Sequence, residues 1–209
     1  MKIKAILFDL DGTLVKLKES HFNSFNMALK EIIGYEISLE NHLKYFDGKT
    51  TKTKLNMLEN LGLIKEEDKE NIWKLKQEKT IECINMFHKD IEKINLLSTL
   101  KINNIKTACV SNSIRSTIFK ILDKICISEY FDLILGNEDF VNKPKPDPYP
   151  YLLAFEMLNL KPEECLIVED NFNGILSAKR SKAHLLEVQE VEDCNYENII
   201  NKINEIEGK

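Results

Sequence analysis

The sequence predicts an α/β fold: a parallel sheet with helices on both faces, interrupted after its first strand by an inserted all-helical block. Three observations carry this. Short apolar runs at 3–8, 106–110, 131–135, 166–168 and 184–188 alternate with helical stretches, the pattern that builds a parallel sheet. Residues from about 18 to 89 carry helical periodicity and little strand signal. The carboxyl ends of the runs collect Asp9, Asp11, Ser111, Asn112, Glu169 and Asp170, at the edge where such sheets bind ligands.

The elements follow in order. Run 3–8 is a buried strand, and Gly12 with Thr13 turns the chain after it. In the inserted block, Phe22, Phe25, Met27, Leu29, Ile32 and Ile33 form an apolar stripe that stops at Gly34. A short helix at 39–46 breaks at Asp47 and Gly48; a third at 50–61 stops at Gly62; a long fourth covers 65–87. From Asp90 the alternation begins: helix 91–103, strand 106–110, helix 113–125 capped by residues 111–113, strand 131–135, and helix 147–158. Strand 166–168, helix 172–181, strand 184–188 and helix 196–206 complete it. The expected division is a discontinuous core, 1–15 and 90–209, and a separate helical domain, 16–89.

Composition narrows the classes. Among 209 residues, 29 basic and 34 acidic side chains are well mixed and leave a net charge of −5, so no footprint for nucleic acid is present. No apolar run reaches membrane-spanning length. The five cysteines are scattered with no Cys-x-x-Cys pair, which suits reduced thiols and a cytoplasmic location. Cys109 and Cys165 lie in apolar runs and are expected in the core. No long apolar stripe is left over, so a monomer is expected.

Asp9 and Asp11 stand two apart where the first strand stops. On extended backbone, i and i+2 face one side, and two crowded carboxylates are unfavourable unless a cation or a proton intervenes. A metal with a nucleophile and acid/base pair explains them; a solvated Asp-Gly turn is the alternative. Acids, a hydroxyl and a lysine converging on the same sheet edge favour chemistry.

The chain resembles the haloacid dehalogenase superfamily, in its branch with a helical cap over a Rossmann-like core. Four motifs carry the resemblance, in order: Asp9-Leu-Asp11-Gly-Thr13, the strand ending in Ser111, Lys143-Pro-Lys-Pro-Asp147, and Glu169-Asp170-Asn-Phe-Asn-Gly174. The resemblance implies Mg²⁺ held by the Asp9 carboxylate, the Asp11 main-chain carbonyl and the Asp170 carboxylate, with Glu169 either a further ligand or an acceptor behind them. It implies Asp9 as nucleophile, Asp11 as acid and base, Ser111 and the Asn112 N–H as phosphate donors, and Lys143 as the cation beside Asp9. The spacing Lys-Pro-x-Pro-Asp selects Lys143 and leaves Lys145 a solvated neighbour. Asp147 is a helix cap or a site residue, Thr13 a turn residue or a partner of Asp11, and Gly174 a packing glycine.

In this family the cap chooses the substrate, and its closure excludes water. The cap residues singled out are His21, placed as in β-phosphoglucomutases to contact Asp11, the turn from Asp47 through Gly48 to Thr51 and Lys52, and Lys76. The mutase arginine that holds a second phosphate falls at Thr51, with Lys52 beside it, and lysine lacks the bidentate fork. The resemblance therefore implies a Mg²⁺-dependent phosphatase of a small phosphorylated metabolite, such as a sugar phosphate or phosphoglycolate. A β-phosphoglucomutase-like phosphotransferase is the enzymatic alternative, and a non-catalytic binding protein the alternative of another class. Dehalogenases and phosphonatases lack the counterpart of Asp11.

Overall fold

The computed structural model describes residues 2–209; Met1, where the expected core segment starts, lies outside the described residues. The first apolar run forms β1 (Ala5–Phe8). Its alternation sends Ile6 and Phe8 into one core and Ala5 and Leu7 into another.

The inserted block follows. Helix α1 (Lys18–Ile33) ends at Gly34 with φ 68, a left-handed position that glycine adopts without the Cβ penalty. The stretch expected as one short helix splits into α2 (Leu39–Asn41) and a π-helical turn, His42–Phe46, which buries His42 and Phe46. Helix α3 (Thr51–Asn60) is capped by the Thr50 hydroxyl, which accepts from Thr53 N at 3.1 Å. Helix α4 (Lys69–Ile84) starts later than expected, after a 3-10 turn at Glu66–Asp68. Phe25, Leu29, Phe46, Leu55, Leu58 and Ile72 give these helices a hydrophobic cluster of their own. Burying each such side chain is worth about 1.5–3 kcal/mol. A buried hydrogen bond from Thr80 Oγ1 to Ser24 Oγ, 3.0 Å, ties α4 to α1.

The rest alternates as expected: α5 (Ile91–Ile102), β2 (Lys106–Val110), α6 (Arg115–Lys124), β3 (Leu133–Leu135), α7 (Tyr149–Leu158), β4 (Cys165–Glu169), α8 (Phe172–Ser181), β5 (His184–Glu187) and α9 (Tyr196–Glu207). The sheet is parallel, in the order β3-β2-β1-β4-β5. Leu97, Ile118, Ile121 and Ile199 cover one face over Ile6, Phe8 and Cys109. Tyr151, Phe155 and Ala178 cover the other over Ala5, Leu7 and Cys165. Central β1 pairs Phe8 with Cys109 on one side and Val168 on the other. Asp9, Ser111 and Glu169, at the carboxyl ends of β1, β2 and β4, therefore meet at one edge of the sheet. Among the described residues, no helix is long and apolar enough to cross a membrane.

Two further helix starts differ from expectation. Residues 111–113 do not cap α6: its first amide, Arg115 N, donates to both oxygens of the Glu138 carboxylate at 3.1 and 2.9 Å. A full charge at a helix N-terminus is a stronger acceptor than a hydroxyl. Helix α7 begins at Tyr149, whose N–H donates to Asp147 Oδ1 at 2.8 Å. Asp147 is thus a capping residue, the first of its two readings.

Candidate active site

The site is built where β1 stops. Asp9 N still donates to Val168 O at 3.1 Å, so Asp9 continues the strand and its side chain keeps the face of Ala5 and Leu7. There it meets a lysine, and that lysine is Lys145. Lys145 Nζ donates to Asp9 Oδ1 (2.7 Å), to Glu169 Oε1 (2.6 Å) and to the Val110 carbonyl (2.7 Å). It is 4% exposed. Lys143 is exposed, with its ammonium over the Tyr149 ring at 4.7 Å, and it is not among the residues lining the pocket that Asp9 faces. The expectation that placed Lys143 in the site and Lys145 in solvent is corrected. The physical reason is the charge at the sheet edge: three carboxylates, those of Asp9, Glu169 and Asp170, each offer an oxygen within 4.8 Å of the others, and a buried ammonium is needed among them.

Glu169 is fully buried, and both its oxygens are engaged. Oε1 accepts from Lys145 and from the Tyr151 hydroxyl (2.7 Å), and Oε2 from Asp170 N (3.1 Å). Gly174 makes room for this carboxylate: a Cβ there would lie 1.8 Å from Glu169 Oε1. Gly174→Ala is therefore expected to cost about 1–3 kcal/mol by overpacking, seen as a lower thermal midpoint. An unchanged midpoint would show that Glu169 is not seated against α8.

Asp170 is set by the turn after β1. Thr13 Oγ1 donates to Asp170 Oδ1 at 3.1 Å, so Thr13 positions Asp170 and not Asp11. Gly12, at φ +92, has no room for a side chain, since a Cβ would sit 2.1 Å from Asp170 Oδ2. That buried Oδ2 is paired with the Lys18 ammonium at 2.8 Å.

Asp11 leaves the acidic cluster. The chain curls after Leu10, with Leu14 N and Val15 N both donating to the Leu10 carbonyl, and this turns the Asp11 carboxylate toward the inserted helices. Its Oδ1 accepts from Leu17 N at 2.9 Å, and its Oδ2 lies 3.7 Å from His21 Nε2. Asp9 and Asp11 thus face one pocket without crowding each other. Burial, then the charges of Asp47 and Asp170, push the Asp11 carboxyl up to about 7. Burial, then Glu169, hold the Asp9 carboxyl above its ordinary range, opposed by Lys145. Burial disfavours the Lys145 ammonium, but Asp9 and Glu169 more than offset that and raise it. His21 is driven well below its ordinary value by burial and then by Lys76.

The inserted block forms the opposite wall. Gly48, at φ +66, turns the chain so that its carbonyl accepts from Asn112 Nδ2 at 3.0 Å, while the Asp47 carbonyl accepts from Asn173 Nδ2 at 3.3 Å. Asn112 also brackets the Lys145 backbone, accepting from its N–H at 3.1 Å and donating to its carbonyl at 3.2 Å. The pocket so closed is lined by Asp9, Asp11, Ser111, Asn112 and Lys145 from the sheet edge, and by His21, Gly48, Thr51 and Lys76 from the helices. Lys76 is 7% exposed, not solvated, and its Nζ lies 3.4 Å from His21 Nδ1. Lys52 is exposed and does not line this pocket. Two residues on, about 200° around the helix, Lys54 does. Sequence reasoning missed Lys54; the available signal was a lysine next to Leu55 and four before Leu58, on the buried stripe of α3.

The acidic cluster fits a hard divalent cation such as Mg²⁺: an all-oxygen donor set, a side-chain-free cradle at Gly12, and a buried Asp170 oxygen whose neighbour is the partly exposed Lys18 ammonium. Asp9 and Asp170 are its available carboxylates: Asp9 has one oxygen free of protein donors among the described residues, Asp170 holds Thr13 and the partly exposed Lys18, and Glu169 already takes three buried donors.

The profile of the haloacid dehalogenase-like hydrolase family matches residues 6–188. A phosphoglycolate phosphatase of Aquifex aeolicus is 34% identical over 86% of this chain and 81% of its own length. A pyrophosphatase PpaX of Oceanobacillus iheyensis is 29% identical over 94% of this chain and 88% of its own. Among solved structures, a β-phosphoglucomutase from Clostridium difficile superposes with a TM-score of 0.84 over 99% of this chain and 100% of its own, at 23% identity, which shows a shared fold. By the family match and these relatives, the chain is an enzyme and belongs to the haloacid dehalogenase-like hydrolase family.

Proposed function

We propose that this hydrolase is a Mg²⁺-dependent phosphatase that cleaves a small phosphomonoester through an aspartyl-phosphate on Asp9. The observation that carries the reading is the opposed pair of carboxylates in one pocket. Asp9 is buried among Lys145, Glu169 and Asp170, and Asp11 faces the inserted helices with its carboxyl raised to about 7.

The roles follow from those surroundings. Lys145 fixes Asp9 Oδ1 and leaves its other oxygen to attack phosphorus in line. Asp11, protonated in a useful fraction near neutrality, gives its proton to the leaving oxygen and then takes one from the attacking water. The Leu17 amide holds its carboxylate in place, and His21 stands beside it at 3.7 Å. Ser111 and Asn112 line the phosphoryl end of the pocket. Asp9, Asp170 and the Asp11 main-chain carbonyl would hold Mg²⁺, which supplies charge neutralisation for an anion approaching a dianion. The turn at Asp47 and Gly48, hydrogen-bonded to Asn173 and Asn112, keeps bulk water out. The names of the curated relatives, a phosphoglycolate phosphatase and a pyrophosphatase, support hydrolysis of small phosphorylated compounds.

The test is phosphate release from a panel of small phosphomonoesters, with Mg²⁺ and with chelator. Chelator is expected to abolish release and added Mg²⁺ to restore it. Full activity without metal would overturn the metal assignment. Including β-glucose 1-phosphate with a trace of glucose 1,6-bisphosphate separates the mutase, which would form glucose 6-phosphate without releasing phosphate.

A further inference from the structure

The inserted helices place two buried ammonium groups over the pocket. Lys54 and Lys76 are each 7% exposed, and both line the cavity that holds Asp9 and Asp11. Lys76 has His21 Nδ1 at 3.4 Å. Lys54 has nothing comparable: among the described residues its ammonium makes no hydrogen bond and no ion pair, and it rests 5.7 Å from the centroid of the Phe25 ring. The groups whose charges reach Lys54 are Asp47, Asp11, Lys49 and Lys76, and neither carboxylate contacts it. The side chain is buried and its ammonium opens on the pocket, so the partner it lacks in the protein can come from what the pocket holds.

The geometry points to a ligand as that partner. We infer that Lys54 selects phosphate esters whose leaving group carries a second anionic group, a carboxylate or a further phosphoryl. The inference rests on the phosphatase reading and deepens it. With the phosphoryl group at Asp9, the leaving group extends past Asp11 toward the inserted helices. A neutral leaving group leaves Lys54 unpaired there; an anionic one gives it a charge-assisted hydrogen bond. Two further features act in the same direction. Helix α3 begins at Thr51 on the pocket wall, so its positive end faces the same space. Burial pushes Lys54 down to about 8, and burial with the charge of Lys54 pushes Lys76 down to about 7, so an arriving anion restores charge that burial disfavours. Lys52, the cation expected for this role from the sequence, points away.

Two phosphonates that a phosphatase cannot hydrolyse test this directly. Phosphonoacetate carries a carboxylate where ethylphosphonate carries a methyl group. Calorimetric titration of each, with saturating free Mg²⁺, is done on the wild type and on Lys54→Met, Lys54→Gln and Lys52→Met. The wild type is expected to bind phosphonoacetate about 10- to 100-fold more tightly, the range for a hydrogen bond to a charged group. Both Lys54 variants are expected to lose most of that preference, bind ethylphosphonate within about twofold of wild type, and keep the denaturation midpoint, since the ammonium makes no ion pair among the described residues. Lys52→Met should retain the preference. Equal binding of the two phosphonates by the wild type, or an unchanged preference in the Lys54 variants, would overturn the inference and leave the phosphatase reading standing. Failure of the wild type to bind either phosphonate would remove both.

Discussion

Asp9→Asn is expected to reduce phosphate release by about 10⁴-fold or more, the scale on which an enzyme loses its covalent nucleophile. The argument is local. Asparagine matches aspartate in shape, and the Asp9 main chain is held by its bond to the Val168 carbonyl, so the strand end and the pocket should persist. The amide retains an oxygen for Lys145 but cannot attack phosphorus, and it withdraws one carboxylate from the acidic cluster. Weaker Mg²⁺ binding should accompany the loss. Two measurements check it: initial rates at saturating Mg²⁺, and mass spectrometry of acid-quenched reactions. The wild type should show a phosphoryl group on the peptide containing Asp9, and the variant none. Retained turnover would move the nucleophile elsewhere in the pocket.

How far the sequence reaches is clearest from the elements that frame Asp9. Strand 106–110 and helix 172–181 were legible to the residue, because each is a compact apolar pattern bounded by polar or turn residues. The helix at 39–46 was not. Its apolar spacing fits an α-helix, but tertiary contacts draw His42 and Phe46 into a π-helical turn. The cap of α6 was misread for a similar reason: the acceptor, Glu138, comes from beyond β3, and local sequence cannot reveal a partner that arrives through the fold. The acids Asp9, Asp11 and Asp170 were legible because strand ends in a parallel sheet must meet. Lys54 and Lys76 were harder to read, since a lysine-rich helix looks solvated until its packing face is known.

The lysine beside Asp9 shows where a motif is ambiguous. Residues 143–148 read Lys-Pro-Lys-Pro-Asp-Pro, so Lys-Pro-x-Pro fits twice, starting at Lys143 or at Lys145. Both readings put a lysine after β3, and spacing alone does not choose. The deciding partner lies further on: Tyr151, on the first turn of α7, donates to Glu169 and sets its ring 4.8 Å from the Lys145 ammonium.

A paired substitution makes that correction measurable. Lys145→Met removes the one ammonium that Asp9 and Glu169 share, and leaves buried carboxylates facing one another with only Lys18 nearby at Asp170. Breaking a buried pair from one side typically costs about 3–5 kcal/mol, so the urea midpoint should fall steeply. Added Mg²⁺ should recover part of that stability by binding the exposed cluster. Phosphate release should fall by about 100-fold or more even at saturating metal, because Asp9 is no longer oriented. Lys143→Met removes an exposed ammonium whose contact is the Tyr149 ring, worth about 0.5–1 kcal/mol at an exposed site, and turnover should stay within about twofold of wild type. The reverse outcome, with Lys143→Met inactive and Lys145→Met tolerated, would return the catalytic cation to the position the first register assigns it. The structure argues against that outcome on charge alone: three carboxylates at the end of β1 and β4 need a cation inside the protein, and Lys145 is the side chain that reaches both Asp9 and Glu169.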